Sequence, residues 1–381
     1  MGCFCFSFIV FEWHDNLEVG IEMRILSIDN IQKNMRLAKS VYTADGNVLL
    51  VEGARLTDER IEKLKQFGVS SLYVTNKWIG EIEVDDLITV ETKNEATKIS
   101  KEVMSNVEQN LPITSEKIHQ IISDLIDELF LNRHIAFGLI EIRAMNDYHF
   151  SHNVAVCVLS LMTGIALNYN YSKLKLLGTG AILHDIGKAK IPLEILNKNR
   201  KLTTDEYAMM QKHSQIGYDI LKECNDINSI SAYVAWQHHE RLDGSGYPLG
   251  LKGTEIHEFA RITALADVYD AMSTDRVYRK RLLPHEVIEY LRDQERILFD
   301  PELTRVFLQN IAPFPIGSMV LLNGGEKGIV IKINKDFPAR PVVKIIFDQN
   351  GQLLKEPLEK NLKVDLTSFI LKGLKDEEIT F

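Results

Sequence analysis

The sequence predicts a multidomain, mainly α protein: an all-α helical bundle between a small N-terminal α/β module and a small C-terminal β-rich domain. Three observations carry this. A chain of 381 residues is too long for one comfortable core and calls for roughly two or three domains. Residues from about 147 to 312 are rich in helix signals and poor in β alternation. Beyond Pro313 and Pro315 the pattern changes to β-branched runs separated by tight turns.

Residues 1–22 read as a loose tail or an upstream extension of the reading frame. Their apolar stretch, Cys3 to Phe11, is well short of the roughly 20 residues a spanning helix needs, and no Lys or Arg precedes it. Neither a membrane span nor a secretory signal is expected. Four cysteines (Cys3, Cys5, Cys157, Cys224) are too few and too scattered for a disulfide framework, which fits a reducing, cytoplasmic setting.

Residues 23–92 alternate short β-rich runs with one helical run. Asp45-Gly46 between Val41-Tyr42 and Val48-Val51 signals a hairpin. Thr57 is placed to cap a helix whose first turn carries Asp58 and Glu59, Gly68 to end it, and Ser71–Val74 to form a following strand. The module reads first as a packing or dimerisation unit, with a sensor as the alternative.

The pattern then turns helical to about residue 143, with 93–124 read as a linker leading into a bundle over 125–312. Ile118, Ile121, Ile122, Leu125, Ile126 and Leu129 recur at three- and four-residue intervals, a core or dimer stripe. A homodimer through helices near 93–143 is the interface this predicts. In 313–381 the strands are Met319–Leu322, Gly328–Ile333 and Val342–Phe347, with turns at Asn323-Gly324-Gly325 and Asn350-Gly351.

A formal charge of −9 argues against tracking double-stranded nucleic acid, which needs a net basic face. An anionic ligand must be met locally. The bundle holds His152, the pair His184-Asp185, His213, the pair His238-His239, and Asp267. One such histidine alone is ordinarily a core residue satisfied by a hydrogen bond. Two tandem pairs are different, because His184-Asp185 follow the apolar run Leu176–Leu183, which buries an aspartate that then needs a counter-charge. Five imidazoles with one or two carboxylates exceed a single tetrahedral zinc site and suit a pair of octahedral first-row ions.

Downstream, Glu240-Arg241-Leu242-Asp243-Gly244-Ser245-Gly246-Tyr247-Pro248 cannot continue a helix and forms a wall beside the histidine pair. Arg276, Arg279, Lys280 and Arg281 form a basic cluster suited to phosphate, although a solvated face explains it equally simply.

His184-Asp185-Ile186-Gly187-Lys188 together with His238 to Pro248 resembles the HD-GYP family of bacterial cyclic di-GMP phosphodiesterases, within the HD superfamily of metal-dependent phosphohydrolases. Asp147-Tyr148, His152, the Leu265–Ala271 segment and Thr274–Arg279 extend the resemblance over roughly 125–312. It implies an HD-type helical bundle as the catalytic domain. It implies His152, His184, Asp185, His213, His238, His239 and Asp267 as metal ligands with Asp185 bridging, and Asp185 and Lys188 as catalytic. Lys188, Gly246, Tyr247, Pro248, Arg276 and Arg279 would contact substrate, and a diguanylate cyclase domain is a partner the family suggests.

Two positions depart from the family pattern. Val277 stands where many relatives have Pro. Tyr148 stands where some have a Glu that helps hold a third metal, and a phenol titrating near 10 replaces it poorly. Two divalent ions, iron or manganese by family analogy, are therefore expected, and no third, although Asp147 or His149 could alter that count. The expected reaction is metal-assisted hydrolysis of cyclic di-GMP to pGpG, with GMP as a further product. The alternatives are another cyclic dinucleotide such as cyclic GMP-AMP, or a sensor that binds without turnover.

Overall fold

A computed structural model describes residues 23–42, 48–67, 69, 71–75, 87–132, 148–198, 200–274, 281–334, 336–375 and 378. The expected Asp45-Gly46 turn, Gly68 and the Arg276–Lys280 cluster lie outside them.

In the N-terminal module, β1 (Met23–Ser27) pairs antiparallel with β4 (Ser71–Thr75), and β2 (Val41–Tyr42) with β3 (Val48–Leu50). Helix α1 (Asp58–Gln66) starts where the sequence places it, with the Thr57 hydroxyl accepting the Arg60 amide. Ile61 and Leu64 on its inner face join Leu26, Leu37, Leu56 and Leu72 in a small core of their own.

Helices α2 (Val90–Glu108) and α3 (Ser115–Leu131) follow, separated by a turn in which Asn110 takes φ 59° ahead of Pro112. The 93–124 stretch falls within α2, this turn and the first part of α3. The Ile118–Leu129 stripe is fully buried in the same core as Val154, Val158 and Leu161 of α4 (Tyr148–Ala166) and Leu174 and Ala181 of α5 (Tyr171–Ile182). Gly178 lets α3 and α5 close up, since a Cβ there would lie 3.0 Å from Ile122 and Leu161. Of the core and dimer readings of this stripe the core one holds here, and the 124/125 boundary falls inside α3.

The bundle continues through a 3₁₀ turn (Ile186–Lys190), α6 (Leu193–Leu196), α7 (Thr204–Glu223), α8 (Ser229–Gln237), α9 (Glu258–Ser273), α10 (Pro284–Asp293) and α11 (Pro301–Gln309). A second core, from Val156 and Leu159 of α4 through Ile262 and Leu265 of α9 to Leu303 and Phe307 of α11, lies on the other side of α4 and α5. With apolar neighbours on both flanks, α4 and α5 are the rigid centre on which the site is built.

The C-terminal domain is one antiparallel sheet in the order β8-β7-β6-β5-β9: β5 (Met319–Leu322), β6 (Lys327–Lys332), β7 (Val342–Phe347), β8 (Leu353–Asn361) and β9 (Ile370–Gly373). Alternate residues of β5 and β6 divide between two apolar clusters, Met319 and Ile329 in one, Val320, Leu322 and Val330 in the other. Gly325 at φ 91° and Gly351 at φ 77° make the turns the sequence signals. Among the described residues no helix is long and apolar enough to cross a membrane.

Candidate metal centre

Five helices and one turn converge here. His152 comes from the first turns of α4. The apolar α5 ends by delivering His184 and Asp185, both buried, into the interior. His213 lies mid-way along α7, whose start is fixed by a capping box between Thr203 and Glu206. His238 and His239 follow the last turn of α8, and Asp267 and Asp270 sit one turn apart on α9. Gly187 brings the 3₁₀ turn against α7 so closely that a Cβ would lie 2.0 Å from the His213 carbonyl oxygen.

The two Asp185 oxygens face different histidines. Oδ2 lies 3.4 Å from His184 Nε2 and 3.9 Å from His152 Nε2, whereas Oδ1 lies 3.4 Å from His213 Nε2 and 3.7 Å from His238 Nε2. Two groups of potential metal-ligand atoms result, His152–His184–Asp185 and Asp185–His213–His238–His239, with Asp185 common to both. Asp267 spans them as well, Oδ1 at 3.2 Å from His152 Nε2 and Oδ2 at 3.9 Å from His239 Nδ1.

The rings are oriented by their outer nitrogens. His184 Nδ1 donates to the Ala181 carbonyl at 2.8 Å, His213 Nδ1 to Met210 at 2.7 Å, and His238 Nδ1 to Ala235 at 3.0 Å. His152 Nδ1 donates to Asp270 Oδ2 at 2.6 Å. A carbonyl can only accept, so in the neutral rings the Nε2 lone pairs of His184, His213 and His238 point at the centre, the second-sphere arrangement of metal-bound histidines.

These contacts also test whether a cation fits. His213 Nε2 and His238 Nε2 face each other at 3.4 Å with no proton between them in that tautomer. His184 Nε2 and Asp185 Oδ1 are buried without a hydrogen-bond partner among the described residues. Converging lone pairs and an orphaned carboxylate oxygen cost free energy that a bound cation removes, so the residues fit divalent metal ions.

Burial holds His184, His238 and His239 below the usual histidine range and takes His213 down to about 4, which keeps these imidazoles neutral. At His152 burial also lowers the pKa, but the hydrogen bonds to Asp267 and Asp270 outweigh it and raise it to about 9. Burial would raise the Asp185 and Asp267 carboxyls. Lys188 with the surrounding histidines at Asp185, and His152 above all at Asp267, instead hold both well below the carboxylate range. Lys188 Nζ reaches Asp185 Oδ2 at 2.5 Å with its side chain 20% exposed, so its ammonium stands at the lip of the centre.

The predicted loop closes over this group. Tyr247 stacks on His239 with centroids 4.6 Å apart, and its amide donates to the His239 carbonyl. Gly246 lies so close to Glu240 and Arg241 that a Cβ would come within 2.4 Å of their backbone. Pro248 follows a cis peptide bond. Sequence reasoning missed Glu240, only 2% exposed, whose two oxygens accept the Leu249 and Leu251 amides at 2.7 and 3.0 Å and hold the returning limb of the loop. It also gave no role to Asp270, although its spacing of three from Asp267 puts both on one helical face. Arg276, Arg279, Val277, Asp147 and the side chains of Tyr148 and His149 lie outside the described residues.

Residues 139–303 match the model of the HD domain family, and residues 319–381 that of a KOW domain associated with HD domains. The chain is 34% identical over 235 residues to a cyclic di-GMP phosphodiesterase of Pseudomonas aeruginosa, covering 61% of this chain and 56% of that protein. It is 40% identical over 147 residues to a cyclic di-GMP phosphodiesterase response regulator of Xanthomonas campestris pv. campestris, covering 38% of this chain and 39% of that protein. A 3'3'-cGAMP-specific phosphodiesterase of Vibrio cholerae is 31% identical over 233 residues, 60% of this chain and 43% of its own length. The chain thus spans about half, or less, of the length of these relatives.

Proposed function

We propose, from the match of residues 139–303 to the HD domain family and the similarity to cyclic di-GMP phosphodiesterases, that this protein is a metal-dependent phosphodiesterase that hydrolyses cyclic di-GMP to pGpG, with GMP as a further product. The observation that carries the reading is the division of the Asp185 oxygens between two histidine groups. His152, His184 and Asp185 would hold one ion and Asp185, His213, His238 and His239 another, with Asp267 facing both. Such ions supply Lewis acidity toward a phosphodiester and lower the pKa of coordinated water. Iron or manganese is the choice the family resemblance implies, and the imidazole and carboxylate donors here accept first-row divalent ions.

The chain's own groups do the rest. The Lys188 ammonium, at the lip of the centre, offers three N–H donors and a positive charge to a phosphate oxygen or to the departing 3′-oxygen. Tyr247, fixed over His239 by the Glu240-braced loop, forms one wall against which substrate is oriented and from which water is excluded. Arg276 and Arg279 are the phosphate clamps this reading assigns.

The test is incubation of iron- or manganese-loaded protein with cyclic di-GMP under reducing conditions, with nucleotide products separated by chromatography. Absence of linear product at confirmed metal occupancy refutes the reading. The similarity to a cGAMP-specific relative supports a second one, cyclic GMP-AMP as substrate, which side-by-side turnover of the two nucleotides decides.

A further inference from the structure

Aromatic rings extend outward from the candidate metal centre at His239. Tyr247 covers His239 at 27° between planes, and beyond it Tyr207 of α7 sets its ring 6.4 Å from Tyr247 at 79°. Two rings nearly at right angles form a corner. A flat base laid on one presents its edge to the other, the geometry aromatic quadrupoles favour.

Tyr207 is held there from below. Its amide donates to the Thr203 carbonyl at 2.8 Å within the capped first turn of α7, and the neighbouring Glu206 is clamped by Arg200 at 2.9 and 3.0 Å. Yet the residue is 49% exposed, so an anchored aromatic ring keeps much of its face in water beside the candidate substrate loop. Ring-to-ring steps of 4.6 Å from His239 to Tyr247 and 6.4 Å from Tyr247 to Tyr207 connect this face to the histidines.

Resting on the cyclic dinucleotide reading above, we propose that Tyr207 is a specificity-determining residue whose exposed ring stacks on one purine of the substrate. The ring recognises the π-face of the base and not its hydrogen-bonding edge, so it separates nucleotide diesters from base-free diesters without choosing between guanine and adenine.

The experiment compares the metal-loaded full chain with its Tyr207→Ala and Tyr207→Phe variants on cyclic di-GMP and on bis(p-nitrophenyl) phosphate, whose short arms keep its rings next to phosphorus. Tyr207→Ala should raise KM for cyclic di-GMP about tenfold or more, the order expected of a lost base–aromatic stack, with kcat little changed. Phe should restore it, and the base-free diester should be turned over alike by all three. An equal loss on both substrates means that Tyr207 merely braces Tyr247 and overturns the proposal, as does an unchanged KM for cyclic di-GMP. A wild-type chain that cleaves bis(p-nitrophenyl) phosphate but no cyclic dinucleotide overturns the functional reading itself, and this inference with it.

Discussion

Replacing Gly187 by alanine tests the construction of the centre without touching a ligand. The added Cβ would lie 2.0 Å from the His213 carbonyl oxygen and 2.6 Å from the Gly217 amide nitrogen, and neither is the end of a side chain that can swing aside. The 3₁₀ turn or α7 must recede by about 1 Å, a displacement that at an active site can cost about 100-fold in rate. His213 Nε2 now stands 3.4 Å from Asp185 Oδ1. An ion bound to both needs roughly 2.0–2.2 Å to each, so the recession takes this pair out of reach of one ion. His184 and His152 face the other oxygen and do not depend on α7. Gly187→Ala should therefore lose one of two bound ions by elemental analysis, lose activity about 100-fold, and lose about 1–3 kcal/mol of stability from overpacking. Gly217→Ala is the control, since its Cβ comes no closer than 3.3 Å to the Gly187 nitrogen and the change favours helix. A Gly187→Ala protein with wild-type metal content and turnover would refute this account of the 3₁₀ turn.

Asp185→Asn should leave the helical circular dichroism spectrum intact while reducing metal content at both groups and bringing turnover below about 1% of wild type, because it neutralises the carboxylate they share. Asp270→Ala removes the acceptor of His152 Nδ1 and should weaken metal binding about 10–100-fold by competitive chelator titration, with Asp270→Asn, which still accepts, in between. His152 has a folded pKa of about 9, above its unfolded 6.5, so its contribution to the stability of metal-free protein is full below pH 6.5 and lost as pH rises to about 9. His213, lowered to about 4, acts at the other end: the unfolded chain takes its proton first, and stability is lost as pH falls from 6.5 to about 4. Urea melts of metal-free protein should thus peak near pH 6.5, and apparent metal affinity should climb between pH 7 and 9 as the His152 proton is released, so a flat affinity over that interval counts against the assignment. Glu240→Ala leaves the Leu249 and Leu251 amides without their carboxylate and should raise KM severalfold at unchanged metal content, whereas a lowered metal content would place Glu240 in the centre itself.

The clustered histidines and aspartates were legible because each such residue type is costly where it stands. A histidine-aspartate pair at the end of the apolar run Leu176–Leu183 declares a buried charge, and the Gly-Tyr-Pro segment declares a loop, before any coordinates are known. The three-part architecture was equally visible, since helical and strand periods differ and change at Pro313. The apolar stripe of α3 was visible too, but its partner was not. Periodicity states that a face must be buried and is silent on whether the same chain or a second copy buries it, which is why the sequence leaves Ile118–Leu129 open between a core and a dimer stripe.

Glu240 and Asp270 escaped for a related reason. Their roles are relations to atoms distant in space or fixed by loop geometry: the Leu249 and Leu251 amides in one case, an imidazole on α4 in the other. The sequence by itself determined which donors this protein owns, their kinds and the helices that carry them, because composition and period are local. The tertiary structure alone decided that one Asp185 oxygen looks to His152 and His184 and the other to His213 and His238, because that division depends on how closely the turn at Gly187 packs against α7.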